Sequence, residues 1–169
     1  PTLSQAAQQA LLARPALADT ASLRSTVSDI IQQVRDTGDN ALFALNEKFD
    51  AVALSALRVS NTQIEHGISQ LSPALKHAID SAYHNILRFH QAQLPQDVEL
   101  ETTAGVTCSM HYTPLSAVGL YIPGGSAPLP STVLMLGVPA QVAGCERKIL
   151  CSPPNSEGSL HPAILYAAQ

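Results

Sequence analysis

Ala117–Gly125 has the sequence Ala-Val-Gly-Leu-Tyr-Ile-Pro-Gly-Gly, and this stretch decides the fold. Its first six residues carry no charge, which is typical of a strand buried on both faces. Pro123 ends the strand because proline has no backbone N–H to donate to a neighbouring strand. Gly124 and Gly125 predict a tight turn with positive φ, and without Cβ atoms they leave the backbone amides accessible to a phosphate or a flat ring.

The residues after this turn predict a βαβ unit. We expect an apolar helix from about Ser131 to Ala143 and a second short strand from Lys148 to Cys151. Pro139 should kink the helix or split it. Such a unit can hold a nucleotide, yet the Gly-x-Gly-x-x-Gly fingerprint is absent, and Pro128 and Pro130 remove two amide donors. From the pattern alone, a ligand site and a purely structural turn are both open.

The chain before this unit predicts helices followed by a hairpin. Ser60–Gln63 has the pattern of a capping box, and Ser72-Pro73 predicts the start of the longest helix, which runs to about Ala92. Apolar and polar residues alternate on both sides of the turn Thr103-Ala104-Gly105, which predicts a half-exposed hairpin. We therefore predict an α/β protein with two parts. Residues 1–113 are mostly helical with a terminal β-hairpin, and residues 114–169 form the first βαβ of a truncated domain.

The composition limits the classes of function. With 46% hydrophobic and 13% charged residues among 169, the chain has the make-up of a globular protein. No apolar run reaches the roughly 18 residues that a membrane span requires. A net charge of -4 without a cluster of Lys or Arg, and only 4% aromatic residues, argue against nucleic-acid binding. Three cysteines without a Cys-x-x-Cys pair, and no recognisable signal peptide, predict a cytoplasmic location.

No convincing catalytic or metal-binding group emerges from the residues themselves. His77, Asp80 and His84 have a spacing that aligns three possible zinc ligands on one helix, but this side lies away from the apolar stripe and we expect it to face water. Cys145 and Cys151 are predicted to be small core residues rather than nucleophiles. We therefore predict no catalytic and no metal-ligating residue within these residues.

Both ends of the sequence indicate a segment of a longer protein. The chain opens at Pro1 without an initiator Met. Its last apolar stripe reaches Gln169 without a helix stop signal. We expect a fragment.

Several motifs together resemble those of histidinol dehydrogenase. The most specific is Val118–Gly125, and Pro130–Met135 and Pro139–Gly144 follow it. Val34–Leu42 upstream and Leu150–Pro154 downstream also resemble the family. The resemblance therefore covers essentially the whole chain.

The resemblance implies an enzyme that oxidises L-histidinol to L-histidine through the aldehyde, in two hydride transfers to NAD, with one zinc ion and as a homodimer. It also implies Rossmann-like domains similar to those of aldehyde dehydrogenases, the first of which is incomplete here. Tyr121 matches the family's NAD-contacting tyrosine, and Pro123, Gly124 and Gly125 would line the same turn. The family's zinc ligands and acid/base residues would follow Gln169, so we expect the segment alone to be inactive.

Two other interpretations are compatible with the residues. The chain can be a free-standing, non-catalytic module that binds a nucleotide or a partner protein. It can also belong to a different enzyme with an aldehyde-dehydrogenase-like fold, which would carry a nucleophilic cysteine downstream instead of zinc ligands. A reading frame that continues past Gln169 favours the histidinol dehydrogenase segment, whereas a stop codon there favours the module.

Overall fold

A computed structural model describes residues 3–12, 20–124 and 127–169. These residues form helices and two pairs of strands, which confirms the predicted α/β class. The helices are α1 Gln5–Leu12, α2 Thr20–Thr37, α3 Asp39–Asp50, α4 Asn61–Ser69, α5 Pro73–Gln91, α6 Pro130–Val142 and α7 Pro162–Ala167. The strands are β1 Val98–Thr103, β2 Val106–Met110, β3 Ala117–Tyr121 and β4 Arg147–Cys151.

The chain divides into two compact units, Pro1–Leu42 and Phe43–Gln169. The first unit contains α1, α2 and the beginning of α3. Gly38 ends α2 in the left-handed region, with φ +58°, and so separates it from α3. Leu23 and Ile31 on the apolar stripe of α2 are exposed.

Two helices of the second unit, α4 and α5, begin where the sequence predicts. The Ser60 hydroxyl accepts a hydrogen bond from Gln63 N at 3.2 Å, and Ser60 N donates to Gln63 Oε1 at 2.8 Å, which completes the capping box of α4. Ser72 caps α5, and Pro73 is its first residue. The helix α4 packs against α7, and α5 packs against α6. Since α4 and α5 precede residue 113 and α6 and α7 follow it, elements on both sides of that residue share one core. The predicted domain boundary between residues 113 and 114 stays a prediction.

Two clusters of buried side chains form the core of the second unit. The first joins the turn after α4 with α5, α6 and α7, and its buried members are Leu71, Ile79, Leu134, Val138 and Ala163. The second lies between the end of β3, α6 and α7, and it consists of Ile122, Val133 and Ile164. Leu150 and Ala167 pack against the second cluster. One face of the β3–β4 pair is therefore covered by α6 and α7.

The strands β3 and β4 pair in parallel, from Ala117 opposite Arg147 to Tyr121 opposite Cys151. The predicted βαβ unit is confirmed. Pro139 is predicted to kink or split its helix, and α6 runs through Pro139 as one helix, so it is not split and the kink stays a prediction. The prediction that β3 is buried on both faces is also wrong. Val118 is half-buried on the side of α6 and α7, whereas Gly119 and Tyr121 are exposed. The reason is that α6 and α7 lie on the same face of the sheet.

The strands β1 and β2 form the predicted antiparallel hairpin, with Gly105 in its turn at φ +80°. Every residue of both strands is exposed, which exceeds the predicted half exposure. Four side chains form an apolar face, because residues that pair across a hairpin share a face. They are Val98 opposite Met110 and Leu100 opposite Cys108.

No helix among the described residues is both long enough and apolar enough to cross a lipid bilayer.

Candidate functional site

The parallel strands end side by side, and this end is the candidate site. Tyr121 pairs with Cys151, and the next residue, Ile122, donates its N–H to Cys151 O at 2.9 Å. The described residues that follow the two strands, 122–124 and 152–161, leave the sheet at this end. In open α/β sheets, ligands bind outside the carboxyl ends of the strands. The position of these loops is therefore the position where a ligand is expected.

The predicted cofactor-binding residues lie at this end of β3. The Tyr121 side chain is 63% exposed, while Ile122 beside it is 0% exposed and anchors the strand in the core. Pro123 and Gly124 are exposed. Gly125 lies outside the described residues. Their role in binding NAD stays a prediction.

The structure gives a reason for glycine at position 124 that differs from the predicted positive φ. Its φ is not positive, so the expected left-handed turn is wrong for this residue. A Cβ atom at this position would lie 2.6 Å from Pro153 Cγ, closer than packed atoms approach each other. Glycine is therefore needed because the two loops touch here, and this contact accounts for Gly124 without a ligand.

The start of α6 offers few donors to a phosphate. Leu129 occupies the N-cap without a side-chain hydrogen bond, and Pro130 is the first helical residue. Thr132 N donates to Leu129 O at 3.0 Å, so one of the first amides is already paired. Proline lacks the N–H that a phosphate would accept from. The described part of this end therefore presents an exposed aromatic ring, Tyr121, and no complete phosphate cradle.

A cavity of about 550 Å³ lies between the β3–β4 sheet and the helices α5, α6 and α7. Apolar side chains from β3, β4 and α6 form most of its wall, among them Leu120 and Leu150. Several of its polar side chains form hydrogen bonds to one another or to the backbone. Tyr83 Oη donates to Gln141 Oε1 at 3.4 Å, and Lys148 Nζ donates to Cys145 O at 2.8 Å. These pairs tie the helices and the sheet together.

Asp80 and Tyr166 form a further polar contact of this cavity. Tyr166 Oη donates to Asp80 Oδ1 at 2.9 Å, which links α5 to α7. The hydrogen bond to the carboxylate, and secondarily burial, raise the pKa of the Tyr166 phenol. Asp80 is partly buried, so the prediction that it faces water is wrong. The partners are 86 positions apart, and no local pattern could have paired them.

The other titratable residues do not assemble into a metal site. In residues 3–12, 20–124 and 127–169, no three side chains of His, Cys, Asp or Glu come together in a way that could hold a metal ion. His84 Nδ1 lies 2.6 Å from the backbone oxygen of Asp80 in its own helix. His161 Nδ1 accepts from Ala163 N at 3.1 Å and caps α7, a role that sequence reasoning missed although His161-Pro162 repeats the cap-and-proline order of Ser72-Pro73.

The cysteines divide between core and surface. Cys145 is buried, as predicted. Cys151 is exposed, so its predicted place in the core is wrong. The reason is the open side of β4, towards which alternate residues of the strand point. Cys108 is exposed on the hairpin.

A family model described as histidinol dehydrogenase matches residues 13–169. The chain belongs to the histidinol dehydrogenase family. The resemblance inferred from the motifs is thereby confirmed.

Curated proteins and a solved structure agree with this assignment. Histidinol dehydrogenase of Idiomarina loihiensis is 52% identical over 168 residues, which are 99% of this chain and 38% of that protein. Histidinol dehydrogenase of Vibrio cholerae is 49% identical over 168 residues, again with 99% and 38% covered. The crystal structure of histidinol dehydrogenase from Elizabethkingia anophelis superposes with a TM-score of 0.90 at 41% identity, over 98% of this chain and 38% of that one. The chain thus spans 38% of the length of the histidinol dehydrogenases it matches.

Proposed function

We propose that this chain is the amino-terminal portion of a cytoplasmic histidinol dehydrogenase. In this proposal the complete enzyme oxidises L-histidinol to L-histidine in two NAD-linked steps, uses one zinc ion and is a homodimer. The observation that carries the proposal is the family match across residues 13–169, together with the 38% share of the relatives' length. The chain would then be one part of the enzyme, divided at residues 113 and 114 as the sequence predicts.

The proposed role of this portion is to form one wall of the NAD site. Tyr121 supports it, because its ring is exposed at the carboxyl end of β3, where a nicotinamide or adenine ring could lie against it. Pro123, Gly124 and Gly125 would shape the loop beside the ring. When bound, NAD would supply the hydride acceptor. The residues of this chain would position the cofactor and exclude water from one side of it.

Zinc does not fit the described residues, because no suitable group of ligands comes together in them. The proposal therefore places the zinc ligands and the acid/base residues in other parts of the enzyme, and it derives no step of the reaction from zinc here. The cytoplasmic location rests on three free cysteines, which are typical of a reducing compartment.

The proposal is tested with the complete gene product. We expect NADH formation that requires L-histidinol, falls after treatment with a chelator and returns with zinc. The 169-residue chain should form no NADH under the same conditions. An absence of histidinol-dependent NADH formation by the complete product would contradict the proposed reaction, and turnover by the short chain would contradict the assignment of catalytic groups elsewhere.

The role of Tyr121 is tested in the same assay. Tyr121→Ala should raise the KM for NAD about tenfold, since losing one aromatic contact costs on the order of 1 to 2 kcal/mol. Tyr121→Phe keeps the ring and serves as the matched control, with a KM near that of the unchanged enzyme. Equal values of KM for both variants and the unchanged enzyme would contradict a contact between the ring and NAD.

A further inference from the structure

The loop after β4 contains a turn that is closed by its own hydrogen bonds. Asn155 Oδ1 accepts from Glu157 N at 3.0 Å, from Ser159 N at 2.9 Å and from Ser159 Oγ at 3.1 Å. The backbone is paired as well, since Asn155 N donates to Ser159 O at 2.8 Å and Gly158 N donates to Asn155 O at 2.9 Å. An asparagine that bonds to the backbone two residues on fixes a turn. We call residues 155–159 the Asn155 turn.

The Asn155 turn is also attached to residues far away in the sequence. A Cβ atom at Gly158 would lie 3.4 Å from Leu54 Cδ2 and 3.5 Å from Val52 Cγ1, so the turn rests on these two side chains. Val52 is buried. At the end of the loop, His161 caps α7 through its 3.1 Å bond from Ala163 N. The loop is therefore held at its middle and at its end.

The beginning of this loop contacts the turn after β3. A Cβ atom at Gly124 would lie 2.6 Å from Pro153 Cγ, 3.5 Å from its Cβ and 3.6 Å from its Cδ, so Gly124 packs against the proline ring. Pro153 is half-buried. Its ring fixes its own φ, and the following Pro154 restricts Pro153 to an extended conformation. Pro153 therefore presents a rigid surface to the residues after β3.

We propose that Pro153, held in place by the Asn155 turn, is a positioning residue for NAD. In this inference the proline ring fixes Pro123 and Gly124 beside the Tyr121 ring and does so without touching the cofactor. The inference rests on the proposed function, which places Tyr121, Pro123 and Gly124 against NAD. A segment that is already held in its binding conformation loses less conformational entropy when the ligand binds. The contact between the two loops would thus increase the affinity for NAD.

The first test is a direct measurement of NAD binding. Equilibrium dialysis of the complete gene product gives the Kd for NAD without turnover. Pro153→Ala should raise this Kd about tenfold, because the turn loses the surface that positions it.

Pro114→Ala is the matched control for this substitution. Pro114 precedes β3, and its Cγ lies 3.5 Å from the place of a Cβ atom at Gly144, so this proline also packs against a glycine. The contact is at the amino ends of the same two strands, away from Tyr121. Its loss should leave the Kd for NAD within about twofold of that of the unchanged product.

The Asn155 turn is tested by a conservative rescue. Asn155→Ala removes the acceptor of three hydrogen bonds and should raise the Kd for NAD about three- to tenfold. Asn155→Asp keeps the oxygen that accepts these bonds and should restore a Kd close to that of the unchanged product. In steady-state assays of Asn155→Ala and Pro153→Ala, the KM for NAD should rise while kcat changes by less than about twofold.

A double substitution tests whether the contact itself acts on NAD. Gly124→Ala should also raise the Kd, because its Cβ atom pushes the turn away from Pro153. In Gly124→Ala/Pro153→Ala the collision is relieved, so the Kd should rise by less than the product of the two single effects. Independent effects on the Kd would contradict a role for this contact in binding.

The outcomes separate the inference from the proposed function. If Tyr121→Ala weakens NAD binding while Pro153→Ala and Asn155→Ala leave the Kd unchanged, the inference is overturned and the proposed NAD site stands. If Tyr121→Ala itself leaves the Kd unchanged, the proposed site is wrong. An equal rise in Kd for Pro114→Ala and Pro153→Ala would assign the effect to general destabilisation and overturn the inference. Should Pro153→Ala fail to fold, as judged by circular dichroism, the two Asn155 variants decide in the same way.

Discussion

The two strand pairs of this protein differ in what holds them together. The hairpin β1–β2 joins strands separated by a short turn, and every residue in it is exposed. The parallel pair β3–β4 joins strands separated by α6, and one of its faces lies against the core formed by Ile122, Val133 and Ile164. The comparison shows that an antiparallel pair can be specified by a turn and an alternating pattern alone. A parallel pair needs its crossover helix, because the strands are too far apart in the chain to meet without it.

The largest difference should appear when an apolar side chain is removed from each pair. Ile122→Ala should lower the free energy of unfolding by about 2 to 5 kcal/mol, because Ile122 is 0% exposed and a cavity would remain. Leu100→Ala in the hairpin is the matched control, and with Leu100 61% exposed it should cost less than about 1 kcal/mol. Urea unfolding followed by circular dichroism measures both. Similar losses would show that the hairpin is packed as firmly as the parallel pair.

The next effect concerns the turns. Gly124→Ala should destabilise the protein by about 1 to 3 kcal/mol, since its Cβ would lie 2.6 Å from Pro153 Cγ. Pro153→Ala removes that atom, so the double variant should be more stable than the sum of the two single changes predicts. Strictly additive free energies of unfolding would show that the loops do not press on each other.

A substitution in the hairpin turn should destabilise only the hairpin. Gly105→Ala meets no atom within 4 Å, but it places a side chain at φ +80°, which costs about 1 to 2 kcal/mol. We expect faster hydrogen exchange of the amides in β1 and β2, with no change in the amides of α6. Gly105→Asn should have a smaller effect because asparagine tolerates this conformation. A matching loss of protection in α6 would mean that the hairpin and the core unfold together.

The smallest effect should be the response of the hairpin to acid. Asp97 lies before β1, and its Oδ2 is 2.8 Å from His111 Nδ1 while its Oδ1 accepts from Tyr112 N at 3.0 Å. The hydrogen bond from His111, followed by that from Tyr112, holds the pKa of Asp97 below its usual 3.8. A lowered pKa in the folded state means that the stabilisation is present above 3.8 and is lost as the pH falls below that value. The effect is small because both side chains are exposed.

Hydrogen exchange of the Tyr112 amide over a series of acid pH values measures this response. After correction for the intrinsic dependence on pH, its protection should fall with the pH in the unchanged protein. Asp97→Asn should show weaker protection that no longer depends on pH in this range. A pH dependence that persists in Asp97→Asn would assign the effect to another group.

Much of the local structure could be predicted because its causes are local. The capping box of Ser60 and Gln63, the start of α5 at Ser72-Pro73, and the turn at Gly105 each depend on hydrogen bonds or φ values within a few residues. The βαβ order was also predictable, since an apolar run, a turn and a helical pattern follow one another. At the candidate site, the exposed position of Tyr121 was predictable only in part, because its strand was expected to be buried on both faces.

Contacts between distant residues could not be predicted. The hydrogen bond from Tyr166 to Asp80 joins residues 86 positions apart. Likewise, the reason for Gly124 is Pro153, and a glycine alone does not distinguish a positive φ from a close contact.

The sequence by itself determined the order of the helices and strands in the βαβ unit, the starts of α4 and α5, the hairpin turn, and which family the motifs resemble, because capping, turn geometry and periodicity act over a few residues. Only the tertiary structure decided that α6 and α7 share one face of the β3–β4 pair. It thereby decided that Leu150 packs against the core while Cys151, the next residue, is exposed. The physical reason is that a strand with few charged side chains can bury either of its faces. The face that is buried therefore depends on where the helices pack.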